Sequence, residues 1–506
     1  MPTILGSNSL DDSYQISNSL RFNDADNAHL EKTFSGSPTS TTKCTMSFWI
    51  KTGNLLSTSA RAIFSAIKSG SNEDVIKFGS SNGGNLGYLE FNFNNTSSGA
   101  MMPGTSGSQL FTFRDASAWY HFVIAIDTTD STADDRLKFY VNGTRVVAEC
   151  SISGGSVQAD TPLSQNYDLG FLTASKHQIG MNVESNNSEP LDAYLSEFYF
   201  VDGTAYAPTT FAETNTDGIW VPKEAKDDIS FGNYGFFLEF QQTGTSANSS
   251  GMGADTSGND NHFSTSGLVA LDVVADTPTN NFCVMNPNDN FYASGNFFEG
   301  NRNLQTNASA YAFNTSTFGL TNGKWYWEAR VGNIGTGSDN WLLGITASPS
   351  VSASEMLGQH TYSLSYRNNG NYKTSDSNVT HGGSFGNDDI VMFALDLDND
   401  RLYVGHGGQW ADGSGNTDES DISNVSDSII DISGLRTSIK GRTMFVAFGD
   451  GNGNASSTPS EAKINFGQPA YSNSSDESDG NGHGKFEYAP PSGFLAICTK
   501  NLAKTG

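Results

Sequence analysis

Short apolar or alternating runs, separated by clusters of Gly, Asn, Asp and Ser, recur along the whole chain. Examples are Thr45–Lys51 (TMSFWIK), Tyr120–Asp127 (YHFVIAID), Arg136–Val141 (RLKFYV), Tyr194–Val201 (YLSEFYFV), Lys324–Val331 (KWYWEARV) and Asp389–Leu395 (DIVMFAL). Aromatic and β-branched residues at a period of two fit strands with one face buried. Helical periodicity is nearly absent. Many short strands with turn residues between them predict an all-β chain built of antiparallel sandwiches. Asn142-Gly143 lies between RLKFYV and Thr144–Val147, a pattern that predicts a type I′ hairpin. Asp202-Gly203 is expected to close Tyr194–Val201 in the same way. Asp412–Asp421 (DGSGNTDESD) and Ser472–Gly484 are acidic and Gly-rich and read as exposed, mobile loops.

Composition narrows the classes of function. A chain of 506 residues has room for two or three domains. Its net charge is -27, from 54 acidic and 27 basic residues. That surface repels phosphate, which argues against nucleic acid as a partner. High solubility or a calcium-collecting surface suits it better. Charge is not blocky, and 33 Phe, 18 Tyr and 7 Trp can fill cores, so the chain does not read as disordered. Met1–Ser9 lacks the basic start and apolar core of a signal peptide, and no run of 18 apolar residues offers a membrane span. Cys44, Cys150, Cys283 and Cys498 are far apart and are expected as buried, reduced thiols. Sequons such as those at Asn142 and Asn307 follow from the Asn, Ser and Thr content and predict nothing about glycosylation.

Five segments occur in an order that resembles the laminin-G-like, concanavalin A-like jelly roll: Asn18–Phe34 with Cys44–Gly53, Trp119–Asp127, Arg136–Val146, His177–Asn182 and Tyr194–Pro208. Further on, NGKWYWEARV (Asn322–Val331), WLLGIT (Trp341–Thr346), Asp388–Gly408 and EAKINFGQPAY (Glu461–Tyr471) resemble a SPRY domain in family order. The phrases at Thr210–Glu224, Ala254–Leu268, Asp276–Asp289 and Tyr488–Ala503, together with the sandwiches, resemble virion proteins of marine tailed bacteriophages. The expected organisation is two tandem sandwiches. A concanavalin A-like one spans 1–215 and a SPRY-like one 291–471. A connector with extra strands spans 216–290, and an acidic loop and tail follow at 472–506. The resemblance implies a particle protein made in the host cytoplasm and displayed on the virion surface. Other virion proteins would be its partners, and it would form a homo-oligomer for which a trimer is the family habit.

Asp396, Asp398 and Asp400 in ALDLDNDRLYVG have the spacing that begins an EF-hand loop. That loop needs Gly at position six and Glu at position twelve; counted from Asp396, these are Arg401 and Gly407. The pattern fits a strand Ile390–Leu397, a turn at Asn399-Asp400 and a return over Leu402–Val404. Asp255, Asn259, Asp260 and Asn261 place hard oxygen donors around Gly258 and are the better calcium candidate, set against an Asx-rich turn held by its own hydrogen bonds. Laminin-G-like domains often carry such a calcium loop.

Glu189, Asp192 and Glu197 lack the spacing of a glucanase Glu-x-Asp-x-x-Glu strand, and Glu197 is expected to face solvent. His121 is expected to pack in its strand. Neither a nucleophile elbow nor a Walker loop occurs. Binding is what remains. Aromatic faces meet the apolar side of a sugar ring, and Asn, Asp and Gln meet its hydroxyls. Trp410, in the Gly-rich HGGQWADGSG, and Tyr362, Tyr366 and Tyr372, in TYSLSYRNNGNYK, are the candidate glycan contacts. The expected function is a non-enzymatic protein displaying lectin-like domains for host-surface glycan, as a tail- or head-fibre module. A decoration or cement protein is the alternative; the lack of heptads or a shaft repeat favours it, or one chain of a multi-protein fibre. A polysaccharide depolymerase is the third reading. No membrane is implied.

Overall fold

The computed structural model describes residues 14–54, 59–79, 89–93, 104–105, 108–109, 113, 115–146, 163–183, 189–289, 295–306, 311, 313–336, 340–349, 354–419, 429–437, 443–451 and 458–505. Met1–Ser9, Cys150, the Asn307 sequon and Val147 lie outside them. The chain divides into two compact units, 1–279 and 280–506, each an antiparallel β-sandwich.

In the first unit, one sheet runs in the order Thr144–Val146, Leu137–Val141, Trp119–Asp127, Lys43–Thr52, Ala193–Asp202, Ser19–Phe22, Val273–Val274, with Phe236–Leu238 paired on Ala193–Asp202. The other runs Ser264–Ser266, His29–Thr33, Lys176–Ile179, Arg61–Ser69, Asn72–Phe78, Leu89–Phe93. Alternate residues of both sheets meet in a phenylalanine-rich core, in which Phe48 stacks on Phe198 at 4.8 Å and Phe64 lies 5.7 Å from Phe198. The Asn142-Gly143 hairpin forms as the pattern predicts, with φ of 48° and 77° and Val141 opposite Thr144. Asp202-Gly203 ends its strand but turns no hairpin. Instead the Asp202 carboxylate accepts from the backbone N–H groups of Thr39, Ser40 and Tyr234.

The connector from 216 onward adds strands, as expected, and adds them to the first sandwich. The segment to Thr279 is part of the first sandwich and supplies Phe236–Leu238, Ser264–Ser266 and Val273–Val274 as strands. Two buried ion pairs fasten it, Arg21 with Asp272 and Lys51 with Asp276, the latter at 2.8 Å and also receiving Trp119 Nε1–H at 3.1 Å. Outward-facing residues of the long strands therefore meet more protein rather than water: Trp49, Trp119 and Tyr194 pack with Ile16, Ala212 and Val274. His121 packs as expected. It is stacked on Trp49 at 4.7 Å and accepts from Trp220 Nε1–H at 3.0 Å, and burial pulls its pKa down to about 3.

The second unit pairs a ten-stranded sheet with a six-stranded one. The first runs Asn296–Phe298, Asn303–Gln305, Glu461–Asn465, Lys324–Asn333, Ile390–Asp396, Arg401–His406, Gln409–Ala411, Thr417–Glu419, with Ile430–Asp431 and Leu495–Ala496 added off this path. The second runs Phe313–Thr315, Phe445–Asp450, Trp341–Thr346, Ser363–Arg367, Asn371–Thr374, Ser377–Thr380. The stretch ALDLDNDRLYVG is the expected hairpin, with Asp396 opposite Arg401 and Asp400 at φ 55°. Its three carboxylates are staples. Asp396 accepts from the Asp398 and Asn399 N–H groups and pairs with Lys324 at 3.0 Å, Asp398 accepts from Gly323 N–H, and Asp400 pairs with Arg436.

Ser472–Gly484 is largely exposed, as its composition predicts, but it is anchored at one residue. Asp479 is buried and accepts from the N–H groups of Asn481, His483 and Ala496 and from Asn501 Nδ2. Leu495–Ala496 then pairs in parallel with Trp325–Tyr326. In that strand Trp325, Trp327 and Ala329 enter the core, while Tyr326 and Glu328 face the C-terminal segment. Glu328 accepts from the N–H groups of Glu487 and Tyr488 at 2.9 and 2.8 Å and from the Tyr326 hydroxyl at 2.8 Å. Cys44, Cys283 and Cys498 are buried free thiols, and burial pushes the Cys498 pKa up to about 12.

Candidate glycan-contact site

The four aromatic candidates separate by depth. Trp410 is 4% exposed, which corrects the expectation that a Gly-rich loop leaves it bare. Its strand pairs with Arg401–His406 and its ring meets Tyr326, which in turn meets Phe486 at 5.0 Å. The C-terminal segment thus supplies cover that lies far away in sequence. Tyr366 is fully buried, with its ring 5.6 Å from Phe385 and 6.3 Å from Phe393. Tyr372, opposite Tyr366 in the register, is half-buried against the same core, and its ring meets the edge of His381.

Tyr362 differs because of where its strand begins. Leu364 and Tyr366 point into the core. Tyr362 has the same parity but precedes the first paired residue, Ser363, so its ring lies at the end of the sheet, partly exposed. There it stacks on His360 at 5.0 Å with 15° between the planes. Both polar tips reach one carboxylate oxygen: the Tyr362 hydroxyl donates to Glu355 Oε1 at 2.7 Å, and His360 Nε2 lies 3.1 Å from it. Glu355 is 2% exposed, while the His360 side chain is 42% exposed. Burial first, and then the hydrogen bond to the Glu355 carboxylate, push the Tyr362 phenol well above its ordinary pKa.

The rim of this platform comes from the neighbouring hairpin. Ser375 and Asp376, at φ 50° and 61°, form the type I′ turn between Asn371–Thr374 and Ser377–Thr380. The turn is tied back by the Ser375 N–H to the His360 carbonyl and by the Asp376 N–H to the Gly358 carbonyl, at 3.4 and 3.1 Å. Asp376 pairs with Lys373 at 2.7 Å, and Asn378 accepts from Arg367 at 3.1 Å. The result is a stacked, pre-oriented aromatic pair beside exposed hydroxyl, amide and carboxylate groups, a surface with a ring face for the apolar side of a sugar and polar groups for its hydroxyls. Sequence reasoning reached Tyr362 but missed Glu355, His360, Asp376 and Asn378. No local signal joins residues that only the sheet end brings together.

The calcium candidates form a clasp. Asp255 is buried, and its carboxylate accepts from the N–H groups of Phe237, Ser257 and Asn261 and from the Ser257 hydroxyl. These four donors fill the acceptor positions that a metal ion would use. Asn259 and Asn261 turn their amide N–H groups to the carbonyls of Gly232, Asn233 and Gly235. Asp260 stands exposed, 3.6 Å from His262. Among the described residues no group of three or more His, Cys, Asp or Glu is arranged to hold a metal.

The three acids near the end of the first sandwich are held apart by different partners. Glu189 pairs with Lys77 at 2.8 Å and accepts from Asn182. Asp192 accepts from the Asn54 N–H and is pushed up to about 7, by burial first and by Asp24 second. Glu197 corrects the expectation that it faces solvent. A bulge between Ser196 and Tyr199, with Glu197 at φ 49°, turns it beneath Tyr14, whose hydroxyl donates to it. It is 5% exposed, and burial pushes its pKa up to about 8, with Glu224 and Glu239 adding to the rise.

Residues 24–205 match the profile of the laminin-G type in the concanavalin A-like lectin/glucanases superfamily, so the first sandwich carries a concanavalin A-like domain. No curated protein matches the sequence. Similar solved structures include the SPRY domain of human HERC1, at 15% identity and a TM-score of 0.23, covering 32% of this chain and 86% of that one. A human SPRY domain is similar at 11% identity and a TM-score of 0.22, over 32% and 90% of the two chains. The heptameric SAP-like pentraxin from Limulus polyphemus is similar at 16% identity and a TM-score of 0.25, over 38% and 80%.

Proposed function

We propose that this chain is a non-enzymatic protein of a tailed-phage particle, displayed on the virion surface, where its lectin-like sandwiches recognise host-surface glycan. The observation that carries the glycan reading is the partly exposed His360–Tyr362 stack, with both polar tips fixed on buried Glu355. Such a pair presents a ring face at little entropic cost, because its rotamers are already held. The phage setting rests on the sequence resemblance. A glycan array and a host-cell binding assay with purified protein test recognition: His360→Ala and Tyr362→Ala should each lower binding by about 0.5–1.5 kcal/mol, the worth of an aromatic stack. Unchanged binding in both variants would reject the site.

A second reading, a decoration or cement protein, is favoured by the absence of heptads and of a shaft repeat in the sequence. Immunogold labelling decides between them. Label spread over the head, with no host-cell binding, supports decoration. A reducing-end assay on host polysaccharide tests the depolymerase reading.

A further inference from the structure

We infer that the ligand of the His360–Tyr362 platform is a neutral glycan, free of sulfate, phosphate and uronate groups. This rests on the glycan-contact reading above and adds the charge class of the ligand.

Recognition of an anionic sugar calls for an exposed Arg or Lys whose donors are free to face it. Among the described residues, two basic side chains flank His360 and both are engaged, while His360 itself turns its Nε2 to the Glu355 carboxylate. Lys373 is buried, with its ammonium 2.7 Å from Asp376. Arg367 is buried, with Nη1 on Asn378 Oδ1 at 3.1 Å and Nη2 on the Met356 sulfur at 3.4 Å. The charge that does reach water is negative: the Asp376 side chain is 70% exposed, and Lys373 beside it holds its carboxyl below the ordinary range. It therefore stays ionised at neutral pH. The other exposed residues of the rim hairpin are uncharged: Ser375, Ser377, Asn378 and Thr380 offer hydrogen-bonding groups, as does Thr361 beside His360, and Val379 is apolar. A sulfate or uronate seated on the platform would give up water and gain a carboxylate neighbour in its place. A neutral ring loses little water and gains stacking and hydroxyl contacts. The chain's net charge of -27 works the same way at longer range, within a screening length of about 8 Å at physiological salt.

The test uses the full chain and matched glycans of one backbone, neutral and sulfated, at about 50 and 500 mM salt, concentrations that span strong and weak screening. The wild type should bind the neutral glycan with less than about a twofold change across that salt range, and His360→Ala should weaken this binding by about two- to tenfold. Asp376→Lys should raise binding of the sulfated glycan by at least about tenfold at low salt, and the gain should vanish at high salt. Asp376→Asn, with the same melting temperature as wild type, should give a smaller gain in the same direction. Tighter, salt-sensitive binding of the sulfated glycan by wild type overturns the inference and leaves the glycan reading standing. No binding of either glycan or of host cells overturns the glycan reading, and the inference with it.

Discussion

Replacing Glu197 by Gln keeps an acceptor for the Tyr14 hydroxyl and removes an ionisation that the first sandwich resists. Burial raises the Glu197 pKa from 4.5 to about 8. Between those values the folded unit keeps a proton that the unfolded chain has released. Stability is therefore complete below pH 4.5 and is lost as pH rises through about 8. The slope is up to about 1.4 kcal/mol per pH unit for one group, so the loss between pH 5.5 and 8.5 is on the order of 2–4 kcal/mol once relaxation and water entry are allowed for. Carboxylates held low by their partners, such as Asp127 and Asp396, move the balance only at more acidic pH. Urea unfolding followed by tryptophan fluorescence at pH 5.5, 7.0 and 8.5 reads the effect. Glu197→Gln should lie close to wild type at pH 5.5 and exceed it by about 2–4 kcal/mol at pH 8.5, with an unchanged m-value. Parallel losses in the two proteins would refute the assignment of a buried, proton-holding acid at Glu197.

Other outcomes follow from the same packing. Trp410→Ala should cost the second unit about 3–5 kcal/mol by calorimetry, as a buried ring removed from a core does, while folded protein keeps its glycan affinity; lost affinity without lost stability would return Trp410 to the contact face. Truncation after Tyr471 should lower the urea midpoint of the second unit and sensitise it to protease, because Glu328 loses two backbone donors and Tyr326 and Trp410 lose their cover; an unchanged midpoint would make the clasp dispensable. Asp255→Ala should cost the first unit about 2–4 kcal/mol through the orphaned donors, and calcium added to chelator-stripped wild type should leave the Tm unchanged; a calcium-dependent rise in Tm would restore the metal reading.

The residues that were legible in advance share one property, which is that their partners are close in sequence. Asn142-Gly143 sits between the strands it joins, and Asp396 finds its donors two and three residues on. Period-two alternation marked the strands because side chains on one pleat face share one environment. It left their outer faces ambiguous. Whether an outward residue meets water or more protein depends on a segment elsewhere in the chain, as Trp49 and Tyr326 both illustrate.

By itself, the sequence determined the all-β class, the two sandwiches, the main hairpins, and the mismatch between the Asp396–Asp400 run and an EF-hand loop, since each depends on local pattern and backbone preference. Only the tertiary structure decided that Trp410 is core while Tyr362 is surface. It also decided that Glu197 turns inward at a bulge, that Asp255 spends its oxygens on Phe237, Ser257 and Asn261, and that Glu355, His360 and Asp376 share one sheet end. Exposure, and with it the ability to bind, is a property of the space around a side chain. That space is enclosed by residues a hundred or more positions away for Glu197, and by most of a hundred for Trp410.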